Sequence, residues 1–115
     1  MTSLSQQTCK PCRSDSTPLT EEEISTLLSQ IPDWERVVTD GTPRLRRSFS
    51  FEGYPPCLDF ANRVGAVAEQ EDHHPQLIIE WGKVTVLWWT HSINGLHRND
   101  FILAARCDEI YQQNR

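Results

Sequence analysis

The chain has 115 residues, 37% of them hydrophobic, and a formal net charge of -5 at pH 7. That length fits one domain with a modest core, and small domains gain from oligomerisation. The negative balance excludes broad phosphate-backbone binding and so direct nucleic-acid reading. No apolar run reaches the ~20 residues that span a bilayer, and the polar N-terminus lacks a signal-peptide core, so the expected location is cytoplasmic, away from the membrane.

Residues 1–18 are polar, aperiodic and rich in Ser, Thr and Gln, and they read as a flexible tail ahead of a domain spanning 19–115. Within the tail, Cys9-Lys10-Pro11-Cys12 is a lone pair of thiols. A zinc site would need two more ligands, and a redox dithiol normally sits at a helix start. With Cys57 and Cys107 these read as reduced thiols. Thr20-Glu21-Glu22-Glu23 is a capping-box signature: the hydroxyl accepts from an early N–H while Glu23 reaches back. Ile24, Leu27, Leu28 and Ile31 follow at helical spacing, and Pro32 stops that helix.

Trp34 to Thr39 and Leu45 to Phe51 read as a strand pair with Asp40-Gly41 in its turn and Leu45, Phe49 and Phe51 on one face. A strict two-residue turn would set Val37 among the arginines, so a longer loop is expected. Arg44, Arg46 and Arg47 read as a solvated strand face. Gly53-Tyr54-Pro55-Pro56 then punctuates, and proline suits a first helical turn. Phe60, Val64 and Val67 mark one stripe of a second helix, with Ala61 and Ala68 beside it. Its last turn holds Glu69, Glu71 and Asp72, carboxylates that oppose the helix dipole. A local rule broken beside His73-His74-Pro75 points to function.

Gly82-Lys83 is the expected turn between Leu77–Trp81 and Val84–His91. That pairing puts Leu77, Ile79 and Trp81 with Val84, Val86 and Trp88 on the core face. Ile78, Glu80, Thr85, Leu87, Trp89 and His91 take the opposite face, where Trp89 offers a platform for a flat ring. Extending the ladder brings His74 across from His91. Gly95 to Asn99 reads as a loop, and a last helix runs from about Asp100. Phe101, Ile102, Leu103, Ala104, Ala105, Cys107, Ile110 and Tyr111 make it apolar around more than one stripe, so a second buried side is expected at a subunit contact. The order α-β-β-α-β-β-α gives an α+β fold, a four-stranded antiparallel sheet with helices packed on one face.

Three of the four histidines fall where two elements can meet, and imidazole both gives and takes a proton near neutral pH. A metal reading of His73-His74 is weakened because adjacent side chains point apart and no recognised ligand spacing completes the set. The plainer readings are satisfied surface histidines at a helix end, Asp100 as a first-turn carboxylate and His97 as a cap of the same helix.

The string Glu69, three residues, His73-His74-Pro75, five residues, Trp81, nine residues, His91, then Asp100 resembles the signature of the pterin-4a-carbinolamine dehydratases. Asp33-Trp34, Gly82-Lys83, Thr90-His91 and Gly95-Leu96 are similar to the same family, over a stretch from about Leu19 to the C-terminus. The resemblance implies a subunit that pairs sheets into a homodimer and assembles further into a homotetramer through helices. It also implies dehydration of 4a-hydroxytetrahydrobiopterin to quinonoid dihydropterin, serving an aromatic amino acid hydroxylase, with no metal or bound cofactor. By the resemblance, His73 and His91 are the acid/base pair and His74 binds and polarises the pterin. Glu69 and Asp72 favour protonated imidazoles, Trp89 and Thr90 line the pocket, and Asp100 orients His91 or its loop. Losing hydroxide from C4a needs a proton delivered to oxygen while N5 gives one up, the work of general acid–base groups. Relatives of this kind also serve as dimerisation cofactors for a transcription regulator, and a different pterin is a further alternative.

Overall fold

The computed structural model describes residues 3–7, 9 and 18–113. The expected capping box starts the first helix, α1 (Glu21–Leu28): Thr20 Oγ1 accepts from the Glu23 N–H while Glu23 Oε1 accepts from the Thr20 N–H. Ile24 and Leu27 turn inward, followed by Ile31 and Trp34. Strands β1 (Glu35–Thr39) and β2 (Thr42–Ser50) form a hairpin, helix α2 (Pro55–Glu71) crosses back, and β3 (Gln76–Glu80) and β4 (Lys83–Trp88) form a second hairpin before α3 (Arg98–Gln113). The sheet is antiparallel in the order β1-β2-β4-β3. Leu45, Phe49, Val84, Val86 and Trp88 alternate onto its inner face, where Cys57, Phe60 and Val64 of α2 and Phe101, Leu103 and Cys107 of α3 complete the core. The α+β architecture expected from the element order is the one observed.

Both hairpin turns differ from expectation. Thr39 pairs with Thr42, so Asp40 and Gly41 alone make the first turn, both at positive φ. Tight hairpins favour that backbone because its twist matches the strands. Val37 does lie beside Arg44, yet it is half-buried, since the stems of long arginines cover apolar surface. In the second hairpin Glu80 pairs with Lys83, so the turn is Trp81-Gly82 rather than Gly82-Lys83. Gly82 takes the positive φ, and Trp81 leaves the core face to stand 74% exposed. The observed register, Gln76 opposite Leu87, would set His74 across from Trp89, and the strand ends at Trp88, so His91 opens a 3-10 turn (His91–Ile93) instead of closing β4.

The arginines of β2 also divide. Arg46 pairs with Glu35 on the outer face, but Arg47 alternates inward, lies over Phe49 and donates to Asp108 of α3 at 2.5 Å. Trp34 Nε1 donates to the same carboxylate at 2.9 Å. Burial pushes the Asp108 carboxyl above its ordinary range, against the pull of these two donors. The second buried side of α3 is covered in part by the chain itself: a 3-10 turn at Leu4–Gln6, from the stretch read as a tail, packs on it with Leu4 in the core cluster. Among the described residues Cys57 and Cys107 are free thiols, and no helix is long and apolar enough to cross a membrane. Cys12 lies outside the described residues.

Gly82 holds the second hairpin in place: its N–H donates to Gly53 O, its carbonyl accepts from Phe51 N–H, and an added Cβ would stand 3.3 Å from Phe51 O. A side chain in this left-handed backbone costs about 1–2 kcal/mol. Gly82→Ala should lower the urea midpoint by a corresponding amount with unchanged slope; an unshifted midpoint would contradict this reading of the turn.

Candidate functional site

The site begins where α2 ends. The Asp72 N–H donates to Glu69 O and the His73 N–H to Ala68 O, with Asp72 in the left-handed region at φ 50°. This is a Schellman stop, with an aspartate where glycine is usual. It throws the adjacent histidines apart. His73 turns inward, 8% exposed, stacks on Trp88 with ring centroids 5.9 Å apart, and places Nε2 2.6 Å from Asp100 Oδ1. His74 turns outward and pairs Nε2 with Glu69 Oε1 at 2.8 Å. The three carboxylates that seemed misplaced at a helix C-terminus are thus accounted for. Glu69 meets His74, Glu71 meets Arg106 at 2.6 Å, and Asp72 forms the stop itself.

Asp100 is reached from the other side. His97 caps α3, its Nδ1 accepting from the Asn99 N–H at 3.1 Å, while Asp100 Oδ2 accepts from the His97 N–H at 2.9 Å. The two form a reciprocal box like that of α1. The same Oδ2 accepts from Thr90 Oγ1 at 2.8 Å. Asp100 is 0% exposed and so gathers three donors from three segments: the stop after α2, the end of β4, and the cap of α3. A carboxylate is an acceptor only, so the His73 imidazole supplies the proton from Nε2, leaving Nδ1 as its other nitrogen.

Thr90 carries the arrangement to His91. Its N–H donates to Gly95 O at 2.8 Å and its carbonyl accepts from Gly95 N–H at 3.4 Å, closing a loop that holds the His91–Ile93 turn. His91 is exposed, with its ring 4.5 Å from that of Trp89. Arg44 lies over the same indole, its guanidinium 3.9 Å from the centroid, and reaches Gln76 at 3.4 Å. Trp88 and Trp89 point to opposite faces of the sheet, so His73 sits on the inner side of the β4 end and His91 on the outer. Among the described residues no hydrogen bond or ring contact joins His91 to His73 or His74.

The structure therefore brings His73, Thr90 and Asp100 into one network, pairs His74 with Glu69, and pairs His91 with Trp89. The bond from Asp100 to the His91 segment runs through Thr90, and the imidazole that meets Asp100 directly is that of His73. Sequence reasoning missed Arg44, whose place over Trp89 follows only once the β2–β4 register, Leu45 opposite Trp88, is known. Among the described residues no group of three or more His, Cys, Asp or Glu is placed to hold a metal ion. Burial pushes the Cys107 thiol up to about 12, which keeps it protonated and unreactive.

Three comparisons bear on this arrangement. A family model described as pterin 4 alpha carbinolamine dehydratase matches residues 17–110. Two curated bacterial relatives are provisionally named pterin-4-alpha-carbinolamine dehydratase. One, from Microcystis aeruginosa, is 53% identical over 98% of this chain and 97% of its own length; the other, from Marinobacter nauticus, is 49% identical over 96% and 100%. A crystal structure of a transcriptional coactivator/pterin dehydratase from Brucella melitensis is similar at TM-score 0.74 and 31% identity, covering 82% of this chain and 98% of that one. A pterin dehydratase-like protein identified as a RuBisCO assembly factor in the alpha-carboxysome shares the fold at TM-score 0.58 and 22% identity, over 69% and 89% of the two chains.

Asp100→Asn tests the network. The amide must turn its NH₂ toward His73 if its oxygen is to keep the Thr90 and His97 donors, so Nε2 becomes an acceptor and the proton moves to Nδ1. Imidazole ¹⁵N spectra should show that exchange of tautomers, with a stability loss of about 1–3 kcal/mol. A His73 spectrum matching wild type would contradict the assigned hydrogen bond.

Proposed function

The chain belongs to the pterin 4 alpha carbinolamine dehydratase family, and from that premise we propose that it dehydrates 4a-hydroxytetrahydrobiopterin by histidine acid–base catalysis. It is an enzyme, a hydro-lyase acting on a pterin carbinolamine. In the reaction the C4a–O bond breaks, a proton joins the departing oxygen, and N5 loses its proton as the C4a=N5 bond of quinonoid dihydropterin forms. No oxidant or reductant is consumed, and one water leaves. The task is therefore proton delivery and removal on a flat heterocycle.

The observation that carries the reading is the buried Asp100–His73 contact at 2.6 Å, with Thr90 on the same carboxylate. An imidazole fixed through one nitrogen has its other nitrogen aimed, and imidazole is the side chain whose chemistry lets it both give and take a proton. His73 on the inner side of the β4 end and His91 on the outer serve as the acid/base pair. His74, exposed and backed by Glu69, binds the pterin and helps polarise it. Trp89 gives the ring a stacking surface, Thr90 shapes the pocket, and Asp72 adds negative charge beside the imidazoles. Asp100, fully buried, acts through His73 and Thr90. The setting we infer is recycling of tetrahydropterin for an aromatic amino acid hydroxylase, by a cytoplasmic homodimer or homotetramer.

A second reading rests on one observation, the similarity to a protein described as both coactivator and dehydratase. In it the chain also binds a transcription regulator as a dimerisation cofactor, through helix surfaces away from the histidines. Variants on the exposed side of α3 would then lose the regulator and keep dehydration.

Stopped-flow decay of chemically generated 4a-hydroxytetrahydrobiopterin tests the main reading. The wild-type chain should accelerate it, and His73→Ala and His91→Ala should each lose about 10²–10⁴-fold while remaining folded. A folded wild type without effect sinks the activity in this pathway; full activity in both variants sinks the assignment of roles.

A further inference from the structure

Arg106 on α3 joins three parts of the chain that the chemistry above does not use. Its Nη1 donates to Glu71 Oε1 at 2.6 Å in the last turn of α2. Its Nε and Nη2 donate to the carbonyls of Ser5 and Gln7 at 3.2 and 2.6 Å. On the same helical face Arg98 Nε donates to Gln7 Oε1 at 2.9 Å. Ile102, four residues from each arginine, shares that face and is buried, as is Leu4 of the N-terminal segment at 3% exposure. The 3-10 turn at Leu4–Gln6 has three residues, too few to hold a helical shape by its own hydrogen bonds. Its form is imposed by the two arginines and by the burial of Leu4.

Glu71 is the residue before Asp72, and the stop there aims His73 inward and His74 outward. A displacement of Glu71 is passed directly to both histidines. We infer that residues 3–7 form a strap that steadies the His73–His74 turn, with Arg106 as the positioning residue that transmits the constraint through Glu71. The inference rests on the reading of His73 and His74 as site residues. Arginine suits the place because its planar fork serves three acceptors at once, whereas a lysine ammonium is a compact point charge without that fixed geometry.

The test uses the full chain with Arg106→Lys, Leu4→Asp and the milder Leu4→Ala, in case the aspartate prevents folding. Two readouts are taken: imidazole resonances of His73 and His74, with the Trp81 indole at the opposite end of the sheet as control, and kcat and KM per folded molecule. Both types of variant should shift the two imidazoles and leave the Trp81 signal in place. They should lower kcat by about 10- to 10²-fold, the scale of a small misplacement of reacting groups, and raise KM as the pterin-binding His74 moves with His73. The double variant should be no slower than Arg106→Lys alone, because both break one linkage. Unmoved imidazole resonances with unchanged kcat in folded variants would overturn the strap. If the wild type fails to accelerate dehydration, that reading falls separately, and the imidazole shifts alone decide the strap: movement supports it and constancy overturns it.

Discussion

One carboxylate with no access to solvent organises this molecule's polar interior. A buried charge is tolerated only when it is paired and hydrogen-bonded, and Asp100 meets that requirement with donors from three segments. Each donor belongs to a different structural event: the stop of α2, the end of β4, and the start of α3. Satisfying one oxygen pair therefore fixes where two elements end and a third begins. The histidines ride on those termini. His73 is held directly, and His91 follows from Thr90 through the Thr90–Gly95 pair.

The same logic explains the charges at the end of α2. Carboxylates in a last turn oppose the helix dipole, and here each is answered by a specific feature, two of them local and one tertiary. Glu71 receives the Arg106 guanidinium, Glu69 faces His74, and Asp72 adopts the left-handed stop. The exposed Glu69–His74 pair adds little stability, as surface ion pairs generally do, and its effect is to orient the His74 imidazole. The Glu71–Arg106 pair is more enclosed and ties α2 to α3 and to the N-terminal segment.

Local patterns revealed what local physics decides. The Thr20–Glu23 box, the alternation of Leu45 and Phe49 against Val84, Val86 and Trp88, and the Phe60–Val64 stripe all follow from periods of 2 and 3.6 residues. The turn lies at Trp81-Gly82, one residue before the expected position; Leu77 and Ile79 keep their face with Val84 and Val86, and Trp81, expected in the strand, stands in the turn instead. The site was legible as a set of residue types and illegible as a network. His73 and Asp100 lie 27 positions apart, and Arg106 and Glu71 lie 35 apart. Such partners share no helix or hairpin, so no periodicity announces them. The cover over α3 was hidden likewise, because one buried leucine in a polar stretch carries no repeat.

The central claim is that two imidazoles, fixed on either side of the β4 end by one buried carboxylate, flank a single bicyclic ring. A crystal structure of the chain with a non-reactive dihydropterin tests it most directly. The account predicts the ring at the end of β4, beside Trp89, with nitrogens of His73 and His91 within about 2.6–3.2 Å of its polar atoms or of one bridging water. A pterin seated elsewhere, or touching neither imidazole while Asp100 keeps its three donors, would contradict it.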